Sequence, residues 1–222
     1  MKKVLIFLFV VSFTIPLHAQ NNDACLWLGL NIEKNITRSF IFNISQEVRM
    51  NENISELGSF LTDAGFTYKI NKLFKISANY RFINKRQIDD FYSKRHRYYF
   101  DLTFRKKIKP FIMQFRTRFQ SQYEDIYSSD NGFIPSNYSR NKLTLKLDLD
   151  KKFAPYVNTE IYIPLNKKDN LIYIDNTRFS SGVEYEINRV HSFDIFYMIQ
   201  KEFNVPKPET DFIIGINYNL HF

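Results

Sequence analysis

Apolar and polar residues alternate along almost the whole chain with a period of two. In SFIFNISQEV, Phe40, Phe42, Ile44 and Val48 share one face while Asn43, Ser45 and Glu47 share the other. The same alternation runs through Phe66 to Ile70, Phe74 to Phe82, Tyr98 to Phe104, Phe111 to Phe119, Leu143 to Leu149, Val157 to Ile163, Phe179 to Ile187, Phe193 to Ile199 and Phe212 to Phe222, the last residue. An earlier run, LWLGLNIE, places Leu26, Leu28, Leu30 and Ile32 in phase. Period two is the side-chain repeat of a strand with two unlike environments on its faces, so these eleven runs predict strands.

The connections between runs alternate in length. Short ones fall near Asn35, Asn71 to Leu73, Ile108 to Lys109, Lys152 to Ala154 and Asn188 to His191, and longer ones near 50–57, 84–94, 125–138, 164–171 and 204–209. An up-and-down sheet with turns at one end and loops at the other fits this order. Several runs sustain alternation for about ten to fourteen residues, the length a tilted strand needs to cross a bilayer and longer than the usual five or six. The polar faces are also charged: Arg116 and Arg118 back onto Phe111, Met113, Phe115 and Phe119. A soluble closed barrel turns its apolar face inward. A membrane barrel turns that face to lipid and the polar face to the lumen. The expectation is therefore an all-β fold, a transmembrane antiparallel up-and-down β-barrel of about 10–12 strands. Eleven is awkward because bacterial single-chain barrels have even counts; a strand is missed, or the Trp27 segment does not span in the ordinary way.

The N-terminus, MKKVLIFLFVVSFTIPLHAQ, has Lys2 and Lys3 before an apolar run and Ala19 before a polar stretch. This is the layout of a cleavable signal peptide, so residues 1–19 are read as leader and 20–222 as a single barrel domain in the outer membrane of a Gram-negative cell envelope. Cys25, the only cysteine, excludes an internal disulfide and a cysteine-built metal site; it is read as an unmodified residue near the mature N-terminus. The formal net charge of +8 falls to +6 without Lys2 and Lys3. For an exported chain that balance points to outer-membrane lipids and lipopolysaccharide, and no nucleic acid is expected.

The pattern resembles an uncharacterised outer-membrane barrel family, domain of unknown function 2490. The stretches that carry the resemblance are Trp27 in LWLGL, QEVR at 46–49, Gly65 to Phe82, RHRYYFDL at 95–102, RFQSQY at 118–123, Arg178 to Tyr197 and the aromatic end. It implies the fold and the location, and no functional residue.

Chemistry is sparse. His96, His191 and His221 show no metal-ligand spacing, and adjacent His191 and Ser192 diverge in a turn, which argues against a barrel-wall lipid hydrolase using a Ser/His pair. Asp89, Asp90, Glu124, Asp125 and Asp130 read as solvated loop acids without the spacing of a calcium loop. No cofactor, metal or catalytic residue is expected, and the protein is read as not an enzyme. Tyr218, Leu220 and Phe222 form an insertion signal for the barrel-assembly machinery. Pairing sums of 144 across the turn at Asn71 set Asp63 opposite Arg81, sums of 217 set Asp101 opposite Arg116, and a turn over Lys152 to Ala154 sets Lys146 opposite Glu160. Arg97, Arg118, Glu184 and Glu186 extend these pairs into a lumen charge network. The resulting expectation is a structural or interaction barrel with an occluded lumen and loops that bind a ligand or an unidentified envelope protein. The alternative is a narrow channel for ions or small solutes.

Overall fold

Residues 21–87, 91–124, 134–149, 152–166, 173–205 and 207–222 are described by a computed structural model. Residues 1–19, expected from sequence to be a leader, and Asp89, Asp90, Asp125 and Asp130 lie outside them. Eleven strands form one closed barrel: β1 Asn21–Asn35, β2 Phe40–Asn51, β3 Glu56–Lys69, β4 Phe74–Arg86, β5 Tyr92–Ile108, β6 Phe111–Tyr123, β7 Ser136–Leu147, β8 Phe153–Pro164, β9 Asn176–Glu186, β10 His191–Glu202 and β11 Glu209–His221.

Each neighbouring pair in sequence is antiparallel. With an odd number of strands the first and last must then run the same way, and β1 pairs parallel with β11, Trp27 opposite Gly215 and Leu30 opposite Tyr218. This resolves the awkward count. The Trp27 segment spans fully and is the closing strand, antiparallel to β2 on its other edge. No backbone edge is left open, as a lipid environment requires. Phe222 completes the seam: its N–H donates to Glu33 O at 2.8 Å and its carbonyl accepts from Asn35 N at 2.8 Å.

Three of the turns at the end that holds the C-terminus share one sequence, Ile, Asn or Thr, Lys or Arg, any residue, aromatic: ITRSF at 36–40, INKLF at 70–74 and INRVH at 187–191. The mechanism is common to all. The second side chain accepts backbone N–H groups two and three residues on, as Asn71 Oδ1 does from Leu73 (2.8 Å) and Phe74 (2.9 Å), and Asn188 Oδ1 from Val190 (2.9 Å) and His191 (3.0 Å). A short polar side chain thus replaces a glycine in setting the turn.

The two faces of the sheet meet opposite environments. Within the strands the exposed large apolar side chains lie on the outward phase, with Phe100 at 64 % exposure and Phe119 at 55 %. Rings pair across strands near the turn end, Phe40 and Phe42 against Phe66, Phe74 against Phe104, Phe153 against Tyr185 and Phe193 against Tyr218. A second set, Tyr80, Phe82, His96, Tyr98 and Tyr123, pairs near the loop end. Two belts flanking an apolar band are the mark of a membrane barrel.

Candidate functional site

The inward phase of the strands carries the charges, and their placement follows from register. Asp63 on β3 lies opposite Arg81 on β4, as the sum of 144 requires, and the two form an ion pair with Asp63 4 % exposed. Tyr99 on β5 donates its hydroxyl to Asp63 at 2.5 Å. Arg118 on β6 stacks over the Tyr99 ring at 3.7 Å and donates to both Asp101 oxygens at 2.7 Å. One connected network therefore crosses four strands.

Glu160 on β8 is the second node. It accepts from Arg116 Nη2 at 2.5 Å and Arg140 Nη2 at 2.9 Å, and Arg178 Nη1 lies 4.0 Å away. Arg140 and Arg178 both sit over the Tyr162 ring, at 4.2 and 5.0 Å. Arg178 also approaches the Trp27 ring at 5.2 Å, and Arg49 covers that ring at 3.7 Å. Because β9 and β1 are not neighbours, the Arg178–Trp27 contact reaches across the lumen. Arg95 pairs with Glu124 at 2.9 Å, and Arg97 donates to the neutral Gln122 Oε1 from Nε (3.0 Å) and Nη2 (2.5 Å).

Two of the pairings expected from sequence are corrected. Asp101 faces Arg118 and not Arg116, because the turn is Lys109–Pro110 and Ile108 pairs with Phe111, which makes the sum 219. Proline has no N–H to give a ladder and belongs in the turn; moving the turn by one residue moves every partner by two. Lys146 faces Tyr156 and not Glu160, which instead faces Lys142. The alternation in KLTLKLDLD runs on past the end of β7 at Leu147, while β8 begins at Phe153, packed on Tyr185 at 4.7 Å. Lys146 reaches Glu184 on β9 at 2.5 Å. Glu186 is exposed and makes no ion pair among the described residues. Glu124 is no solvated loop acid but a lumen carboxylate, 9 % exposed.

Sequence reading missed a row of side chains that only register brings together. Around the lumen run Arg49, Trp27, Gly215, Phe196, Gly182, Tyr156 and Lys146, each opposite the next. The glycines alternate with aromatics because the rings lie over them: a Cβ at Gly215 would strike the Phe196 ring, and one at Gly182 the Tyr156 ring. Trp27 and Phe196 pack on Cys25, Met198 and Ile213, the apolar core inside the barrel.

The lumen charges are segregated. Inward positions of β4 to β7 hold Lys75, Arg81, Lys85, Arg95, Arg97, Arg105, Lys107, Arg116, Arg118, Arg140, Lys142 and Lys146 against the acid Asp101, with Glu124 just past the end of β6. Inward positions of β8 to β11 and β1 hold Glu160, Glu184, Glu186, Asp194, Glu202, Glu209, Asp211, Asp23 and Glu33 against Arg178. The two walls face one another, so the field runs across the lumen. Toward the turn end lie two cavities of about 330 and 430 Å3, which share Asn219 and His221 in their linings.

Of the three described histidines, two are turned away from the lumen. His96 bonds Tyr80 at 2.7 Å and His191 bonds Tyr218 at 2.5 Å, both on the outward phase, and His221 lies 3.3 Å from Glu33. Donor atoms of Asp23, Cys25 and Asp211 lie within 4.8 Å of one another. The Asp23 carboxylate is already occupied, accepting from Glu52 N (2.9 Å), Asn53 N (2.7 Å) and Cys25 Sγ (3.4 Å). Glu52, Asn53 and Ile54 have φ of 52°, 57° and 66°. Successive N–H groups in that conformation form an anion nest, so the trio acts as a clamp between β1 and the β2–β3 turn.

The profile of a family described as "Protein of unknown function (DUF2490)" matches residues 24–210. No curated protein matches the chain in sequence. Among solved structures, the NanC porin is 12 % identical, with 80 % of this chain and 86 % of that one covered and a TM-score of 0.51, a likeness of fold. The translocator domain of the autotransporter NalP from Neisseria meningitidis is 9 % identical, covering 79 % and 72 %, with a TM-score of 0.40. The β domain of the Bordetella autotransporter Brka is 9 % identical, covering 79 % and 81 %, with a TM-score of 0.43.

Proposed function

The chain belongs to the DUF2490 family and has an outer-membrane-like barrel fold, and from that premise we propose that it is an integral outer-membrane barrel with a largely occluded lumen whose loops carry recognition. It is exported through the leader at 1–19, inserts through the barrel-assembly machinery by way of Tyr218, Leu220 and Phe222, rests in lipid and lipopolysaccharide, and catalyses no reaction. The loops at the end opposite the C-terminus contact an envelope partner.

The observation that supports this reading is the network across the lumen. The Asp63–Tyr99–Arg118–Asp101 chain and the Glu160 node place buried ion pairs from β3 to β9, and Arg178, Trp27 and Arg49 bridge from there to β2. A buried charge left without its partner is costly, so the pairs hold one another in the path of a solute. A second reading, a narrow channel, draws support from the two turn-end cavities, which leave that half of the lumen open. Conductance of the purified protein in a planar bilayer decides between them. The occluded barrel gives no steady open level; a steady nanosiemens level makes it a channel. Fractionation tests the location, and recovery in the soluble periplasm after carbonate washing would overturn it.

A further inference from the structure

We propose that the larger turn-end cavity is a binding site for a small zwitterion of the amino-acid class, held with its carboxylate against Arg105 on β5 and Lys142 on β7 and its ammonium against Asp194 on β10. The cavity, about 430 Å3, has the size of a small-molecule site and spans both charged walls. Arg105 and Lys142 line it from the basic side and Glu184 and Asp194 from the acidic side. A site for a simple anion or cation would have one sign of charge; this one has both, on opposite walls.

The state of each group favours a ligand between them. Among the described residues Lys142 makes no hydrogen bond or ion pair, because Glu160, its partner in register, is taken by Arg116 and Arg140. Among the described residues the Arg105 guanidinium is likewise without an ion pair. Across the cavity, the Asp194 carboxylate is held by two neutral donors, Tyr156 Oη at 2.8 Å and Asn217 Nδ2 at 3.1 Å, and has no cation in contact. A carboxylate oxygen has two acceptor sites, so each Asp194 oxygen keeps one for an ammonium. Lys146 and Glu184 already satisfy each other at 2.5 Å, which leaves Arg105 and Lys142 facing Asp194. Charge-assisted bonds at both ends fix a ligand in one orientation, and the two together reject solutes that carry one charge alone.

The test uses the full mature barrel folded in detergent, with L-glutamine, acetate, methylammonium and glucose as probes in titration calorimetry. Its outcome does not depend on membrane location or on conduction. Glutamine is expected to bind saturably, with acetate, methylammonium and glucose at least tenfold weaker. Lys142→Gln and Asp194→Asn should each weaken glutamine about tenfold, with heat-modifiable migration on gels showing that both variants remain folded. If one variant fails to fold, the other carries the test together with the probe series. The proposal is overturned by acetate binding as tightly as glutamine, by glutamine affinity unchanged in the folded variants, or by no saturable glutamine binding.

Discussion

Glu160 illustrates how one side chain can hold several strands. It is 4 % exposed and lies within ion-pair distance of Arg116, Arg140 and Arg178 on three different strands. Removing its charge strands three guanidinium groups in a confined lumen, which costs about 3–5 kcal/mol for a broken buried pair. Glu160→Gln is expected to lower the urea midpoint of the folded barrel accordingly. Lys142→Gln, which removes a cation already in surplus beside the same node, should leave the unfolding free energy within about 0.5 kcal/mol of wild type or raise it. Equal losses in the two variants would show that Glu160 is not the node. Gly215 makes a steric counterpart to this electrostatic argument. A branched side chain there enters the volume of the Phe196 ring, so Gly215→Val should cost about 1–3 kcal/mol by overpacking. The same substitution at Gly58, set against the flexible Asn51 amide, should cost less when both midpoints are measured.

At the scale of the element, most of the barrel was legible because the period-two pattern is imposed separately on every strand. Lipid on one side and charge on the other leave no freedom of phase. All eleven strands appear as alternating runs, and the Asn71 turn fixed the β3–β4 register. What alternation does not carry is where a strand stops. Leu149 keeps the phase of Leu143 and Leu145 although β7 ends at Leu147, and alternation does not mark Pro110 as the turn residue, so the Asp101 and Lys146 partners lie two and four residues from those that alternation alone predicts. Nor does alternation carry direction at the seam, which is why the parallel pairing of β1 with β11 waited for the structure. That seam gives Phe222 a double role. Its ring faces outward in phase with Tyr218 and Leu220, and its backbone bonds Glu33 and Asn35 on β1. Deleting Phe222 therefore removes an outward aromatic and two seam hydrogen bonds together. The expected result is a loss of folded, heat-modifiable protein in the membrane; Phe222→Ala, which keeps the backbone bonds, should lose less. Wild-type levels in the deletion would show that the seam closes without it.

For the whole molecule the question is whether the lumen is closed by its own walls or by the side chains laid across them. Closed barrels of eight strands are filled by side chains, and barrels of sixteen or more hold open water. Eleven strands fall between, so occlusion here depends on which residues point inward. The mid-lumen cross-contacts come mainly from arginines: Arg118 over Tyr99, Arg116 and Arg140 on Glu160, and Arg178 reaching toward Trp27. The backbone ladder that closes the barrel involves none of these side chains. Replacing Arg116, Arg118 and Arg140 together with alanine should therefore leave the strands paired while clearing the long side chains from the centre. Their partners Asp101 and Glu160 would be left uncompensated, so Asp101→Asn and Glu160→Gln are added to the same chain. The expected outcome is a folded, heat-modifiable barrel that shows stepwise conductance in a planar bilayer where wild type shows none. The current through the variant should favour cations, since the basic wall has lost three of its charges while the acidic wall of β8 to β11 and β1 keeps all but Glu160. A folded variant that stays closed would place the block in the Trp27, Phe196, Met198 and Ile213 core instead.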